Sequence, residues 1–186
     1  WWELTRAVMA ETAGKIDAAE VRGIGMCGVM MMAVMLDKDG RAVRPTLSWL
    51  DQRVLPQLAW IKESHFEEAI FEATGTALSP SQTILPLLWV KENEPENFAR
   101  IDKVILSKDY IRWRLTGSVG TDLTDASATL LLDNRTGAWN AGIADMLGLP
   151  RHILPDLVSS TDVTGFLLDD VARDIGLPAG GRVPVI

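Results

Sequence analysis

Four carboxylates, Asp51, Asp109, Asp122 and Asp125, fall where turn and cap residues interrupt the hydrophobic pattern, not along a regular helical face. A carboxylate so placed can take a proton or a hydrogen bond from a bound ligand. It can also cap a helix by accepting backbone N–H groups. For each residue alone, capping is the expectation, because Asp109 precedes a helical pattern and Asp122 and Asp125 stand among Thr and Ser in TDLTDASAT. Other chemistries lack their residues. GIGMCG at Gly23 to Gly28 has glycines without the G-x-G-x-x-G spacing and no G-x-x-x-x-G-K-[ST] occurs, which excludes P-loop and Rossmann sites. No G-x-S-x-G elbow supports a serine hydrolase, and His65 and His152 are too isolated for zinc. Cys27 sits in apolar GMCGVMM and reads as a buried small hydrophobe, not a reactive thiol.

The elements that must position these residues mix two periods. A 3.6-residue period predicts helices over 2–13, 51–64 with Pro56 near the first turn, 66–73 closed by Thr74-Gly75, 84–93, 109–115, 141–147 and 171–175. Strands are expected over 21–27, 31–36, 43–49, 103–106 and 128–133, with DKDG at Asp37 to Gly40 and NRTG at Asn134 to Gly137 as turns. The segments 77–83 and 150–160 read as loop, and 163–170 as strand or turn. Met30, Met31, Met32 and Met35 fit a buried strand, where alternation lets only Met30 and Met32, or Met31 alone, face one side. Most are expected in the core, with Met30 or Met31 at a pocket edge. No repeat or low-complexity linker appears, and a single α/β or α+β domain is indicated.

Bulk properties bound the partners. The 186 residues, 47% hydrophobic, suffice for one substantial core. A net charge of −7, with 25 acidic against 18 basic residues and no basic stripe, argues against nucleic acid. No stretch reaches the roughly 20 apolar residues of a membrane span, and no signal-like leader is present, so the cytoplasm is the expected location. The chain opens abruptly on a helix and closes on RVPVI, an apolar run without a visible strand partner, as in a piece of a longer protein with an open, aggregation-prone edge.

Four segments in order resemble the FGGY carbohydrate kinases, xylulokinases in particular. LSWLDQR is similar to their Trp-Asn-Asp-x-Arg, with Trp49, Asp51 and Arg53 matching and Leu50 replacing Asn. LSKDYIRWRLTG is similar to Pro-Lys-Asp-Tyr-Leu, with Ser107 in place of Pro, TDLTDASATLLLD to the acidic Asp-Ala-Ser/Ala-Gly-Thr stretch, and LLWVKENEPENF to a further common segment. The resemblance implies an α/β fold of the actin-like ATPase (ribonuclease H-like) type, incomplete at both ends, with residues 1–186 forming most of the N-terminal kinase domain and the first hairpin and the C-terminal domain outside it. It implies an ATP-dependent kinase that phosphorylates a ketose such as xylulose or ribulose, or a polyol, with ATP and Mg2+ in the full-length protein.

The family's Gly-Gln-Met-His-Gly segment falls on Gly28, Val29, Met30, Met31 and Met32, of which only Gly28 and Met30 match, and TALSPSQTILPLLW has Gln82, Leu85 and Pro86 where an aromatic and a Pro-Lys pair are usual. The resemblance thus assigns sugar contacts to Met30, Met31, Trp49 and Asp51, with Arg53 orienting Asp51 and Asp109 and Asp125 holding loops. It assigns no catalytic residue, cofactor contact or metal ligand here, since the phosphate loop would precede Trp1 and the base would follow Ile186. The chain alone is expected to be inactive. A sugar and a second copy in a homodimer are the expected partners. A non-catalytic sugar-binding or regulatory relative is the alternative favoured by Val29 to Met32, and a structural interaction domain the one favoured by the seven Trp.

Overall fold

The computed structural model describes residues 1–186. Its centre is an antiparallel pair, β1 (Ala33–Leu36) and β2 (Lys103–Leu106), in register Ala33 to Leu106. Both strands are apolar without alternation because both faces are covered, and only Lys103 escapes full burial. Between them the chain forms α2 (Leu55–Glu63), α3 (Phe66–Thr74), α4 (Ile84–Asn93) and α5 (Pro95–Ala99). Helix α4 is apolar around its circumference and is accordingly embedded, with six of its residues buried, five of them in the larger core beside Ile61, Ile70 and Leu130. Gly75, at φ 67°, ends α3 in the left-handed conformation that Gly adopts without steric cost.

Val34, Leu36 and Ile105 form a small cluster on the other face of the pair, and a second core gathers Trp2, Leu115, Ile175 and Val185. Helix α6 (Ser107–Thr116) follows β2 with no intervening residue, and α1 (Trp2–Ala13) packs on it. Next come β3 (Thr121–Asp122), α7 (Leu123–Ser127), the hairpin of β4 (Leu132–Asp133) and β5 (Ala138–Trp139), and α8 (Ala141–Met146). Strand β6 (Leu157–Val158) pairs in parallel with β3, and β7 (Gly165–Phe166) pairs antiparallel with β8 (Pro184–Val185) around α9 (Asp169–Asp174).

The expected helices fall within a few residues of their bounds, with α5 and α7 in addition, and of the expected strands 103–106 forms as read and 31–36 is shortened to 33–36, while the other three do not form as read. Residues 21–27 contribute one bridge, Ile24 to Val185, in place of a strand. After the turn at Gly40 the expected strand over 43–49 ends after Val43 donates to the Met35 carbonyl, because Pro45 has no N–H to continue the ladder. Over 128–131 the Thr129 hydroxyl accepts from Leu131 N–H and donates to the Ala126 carbonyl, and Leu130 takes φ 63°, so local bonds displace strand pairing until Leu132. Met30 and Met31 form a turn ahead of β1, so strand alternation does not govern them. RVPVI does have partners: Val185 is fully buried between β7 and Ile24. Cys27 is exposed, and Asp125 lies within α7.

Candidate functional site

The direct passage from β2 into α6 fixes the first side chains of that helix against the sheet. Leu106 is extended, at φ −92° and ψ 170°, and Asp109, three positions on, accepts its N–H at 3.2 Å. This carboxylate satisfies one of the donors that a helix start leaves open. At the start of α7, Asp122 accepts from Thr124 N–H at 2.9 Å and Asp125 N–H at 3.2 Å, and from the Ser160 hydroxyl at 3.0 Å. Capping thus accounts for Asp109 and Asp122.

Both caps also converge on Lys108. Its Nζ donates to Asp109 Oδ1 at 3.0 Å, touches Asp122 Oδ2 and lies 2.9 Å from Asp125 Oδ2. The approach to Asp125 is a charge contact without the alignment of a hydrogen bond, and that oxygen has no other partner. Arg112, one turn along α6, brings Nη2 to 3.4 Å from Asp109 Oδ1. Two cations therefore face three carboxylates, all five largely buried.

The electrostatics follow from this crowding. Burial by itself lowers the pKa of Lys108, but the Asp109 charge and the contacts with Asp122 and Asp125 outweigh it and push it up to about 12. Burial raises Asp122, yet the Lys108 ammonium, the Asp125 N–H and the Ser160 hydroxyl bring it down to about 2. Asp125 is held above the usual carboxylate range, first by burial and further by the charges of Asp122 and Asp109, which Lys108 only partly offsets.

These groups floor a cleft of ≈ 280 Å³, walled on one side by Met26, Gly28 and Met30 and on the other by Thr124, Ser160 and Thr164. Hydroxyls, a shielded ammonium and an apolar thioether in one cleft suit a small polyhydroxylated molecule with polar edges and an apolar face.

Among the expected site residues, Met30, 37% exposed, is in this wall. Met31 is half-buried at φ 67° and is not among the lining residues. Trp49, 47% exposed, and Asp51 lie outside the cleft. Asp51 instead accepts from Arg53 Nε at 2.9 Å and Nη2 at 2.6 Å, a fork that, with the Arg53 N–H, holds its carboxyl at about 2. The Arg53 guanidinium stands 5.0 Å over the Trp89 ring. Lys108 has no role assigned from the sequence, although it matches the Lys of the Pro-Lys-Asp-Tyr-Leu segment and stands directly before a helix-start Asp.

No group of three or more His, Cys, Asp or Glu is placed to hold a metal. Lys108 Nζ takes the position between the carboxylates where a cation would sit, so residues 1–186 do not fit a resident magnesium ion.

Comparison with known proteins agrees with the resemblance in LSWLDQR and LSKDYIRWRLTG. The chain is 33% identical over 186 residues to the xylulose kinase of Escherichia coli (strain K12), covering 100% of this chain and 37% of that protein. It is 35% identical over 179 residues to the xylulose kinase of Bacillus subtilis (strain 168), covering 95% and 36%. The ligand-bound xylulose kinase structure from Lactobacillus acidophilus superposes with a TM-score of 0.92 at 25% identity, over 100% of this chain and 37% of that one. The chain thus spans little more than a third of these relatives, and its fold is theirs, the actin-like, ribonuclease H-like α/β fold of sugar kinases. The family model "FGGY family of carbohydrate kinases, N-terminal domain" matches residues 1–186 throughout, and the chain belongs to that family.

Proposed function

We propose that the full-length protein is a sugar kinase that transfers the γ-phosphoryl group of ATP to a hydroxyl of a ketose, such as a pentulose, or of a polyol. The observation that carries this reading is the cleft, which Lys108 and its carboxylates line together with Met30. In such a transfer the sugar oxygen bonds to the γ-phosphorus, the bond to the β–γ bridging oxygen breaks, ADP leaves, and a carboxylate beyond Ile186 takes the hydroxyl proton. The residues described here bind and orient the sugar and keep water from the reacting end. Met30 contributes by direct contact. Met31, Trp49 and Asp51 are kept as sugar contacts on the strength of the family pattern, the last two reached from outside the cleft as it stands. The reading takes a small-molecule sugar as partner and the cytoplasm as setting. No helix is long and apolar enough to cross a membrane.

A coupled ADP-release assay on the full-length protein, over a panel of ketoses and polyols, tests the proposal. Turnover on one sugar above the ATPase background supports it. No turnover on any, in a folded protein, favours the second reading, a non-catalytic sugar-binding relative. Val29 to Met32 favour that reading, since they offer the cleft a thioether and no polar head.

A further inference from the structure

Gly28 and Met30 bring to the wall of the cleft the segment 28–32, which differs most from the family pattern, and the anchorage of that segment is local and simple. Val29 is 52% exposed and Met30 37% exposed, so burial does little to hold this segment. The one side-chain hydrogen bond made to it comes from α6, where Ser107 Oγ donates to the Val29 carbonyl at 2.6 Å across 78 residues of sequence. Directly beside it, a Cβ on Gly28 would stand 3.0 Å from Lys108 Cβ, so the two segments lie closer than a side chain at position 28 fits without displacement. On the other side of the turn, Ala33 pairs with Leu106. Three successive residues, Leu106, Ser107 and Lys108, thus meet the wall, and the third of them carries the ammonium that holds the acidic floor.

Ser107 is also the first residue of α6, where a backbone N–H has no intrahelical partner and Pro is well tolerated. The kinases' Pro-Lys-Asp-Tyr-Leu segment, which LSKDYIRWRLTG resembles, has Pro at this position, and Pro can donate nothing. The hydroxyl is therefore not required to start the helix.

We propose that Ser107 is a positioning residue for the sugar, setting through its hydrogen bond to Val29 the distance between Met30 and the Lys108 floor. The proposal deepens the kinase reading and rests on it for the word sugar. Met31, at φ 67°, makes the arrangement sensitive: a left-handed methionine persists only where its neighbours hold it. A released Val29 carbonyl lets the turn relax and carries Met30 away from the floor.

The test uses the full-length protein with Ser107→Ala, Ser107→Thr and Ser107→Pro and two readouts. In hydrogen exchange, amides of residues 28–32 exchange faster in S107A and S107P than in wild type, α6 stays protected, and S107T restores the wild-type rate. In kinetics on whichever sugar the wild type turns over, S107A and S107P raise KM for the sugar about fivefold, the worth of one neutral hydrogen bond. The same variants leave kcat and KM for ATP within twofold, and S107T returns KM to wild type. Unchanged exchange at residues 28–32 overturns the tether. Faster exchange with an unchanged sugar KM overturns its role in positioning, as does a loss of kcat shared by all three variants. A wild type without turnover on any sugar sinks the kinase reading, and exchange alone then decides the tether.

Discussion

Lys108→Met removes one ammonium and little else, since the methionine side chain follows the lysine stem and fills similar volume. Three carboxylates then face one another across the space Nζ filled: Asp109 and Asp125, 3.0 and 2.9 Å from it, and Asp122, touching it. Only Arg112, 3.4 Å from Asp109, is left to face them. Stripping one partner from a buried ion pair costs about 3 to 5 kcal/mol. The Lys108 side chain is 13% exposed, which allows some water relief and places the expected loss near the lower end, about 3 kcal/mol. At 2–4 °C per kcal/mol for a domain of this size, the melting temperature at pH 7 falls by about 6 to 12 °C.

The pH dependence identifies the cause of that loss. Asp122 has its pKa lowered from 3.8 to about 2, so its stabilisation is present above 3.8 and lost as pH falls through 2. Lys108 is raised from 10.5 to about 12, so its contribution is full below 10.5 and lost as pH rises through 12. Thermal unfolding followed by circular dichroism should therefore show the largest gap between wild type and K108M near neutrality and a narrowing gap below pH 4. A variant within about 2 °C of wild type at pH 7, or a gap that stays constant down to pH 3, refutes the electrostatic account.

The other expectations concern neighbouring groups. Asp122→Asn weakens a lysine contact and an α7 cap and should cost about 1 to 2 kcal/mol in chemical denaturation, whereas Asp125→Asn, which removes a carboxylate already disfavoured as an anion, should cost under about 1 kcal/mol. Equal losses would show that the two acids share one role. Arg53→Ala should raise the Asp51 carboxyl from about 2 toward the ordinary carboxylate range in an NMR titration, because the guanidinium fork is its main stabiliser. An unmoved titration would assign the shift to backbone donors. Gly28→Ala should cost about 1 to 3 kcal/mol and raise sugar KM together, since the new methyl meets Lys108 Cβ at 3.0 Å. A stability loss with unchanged KM would separate the contact from the cleft.

The helices were legible where apolar spacing met a start or stop residue, as with Pro56 in the first turn of α2, Gly75 after α3 and Gly117 after α6. The strands were less so because apolar runs say nothing about partners. Residues 21–27 look like a strand in composition but find a single bridge, while RVPVI, read as unpaired, closes against β7 and Ile24. In the site, Asp109 and Asp122 read correctly as caps by their own local sequence, whereas Asp125, expected to hold a loop, caps nothing and turns its carboxylate to Lys108. What no local pattern carries is that α6 and α7 aim two of those caps at one ammonium, a meeting set by the parallel pairing of β3 with β6 and by the direct passage from β2 into α6.

That passage separates stability from recognition along the chain. The load falls on Leu106 to Asp109, which are tied into the sheet, the helix start and the buried charges. Val29 and Met30 hang from the same frame with exposed side chains and little buried area to lose. Substitutions at positions 29 and 30 can therefore accumulate at low folding cost, and, on the sugar-kinase reading proposed above, a combinatorial library confined to them would sample new substrate preferences on an intact scaffold. The joint thus makes this wall of the cleft open to evolutionary change while its floor stays constrained.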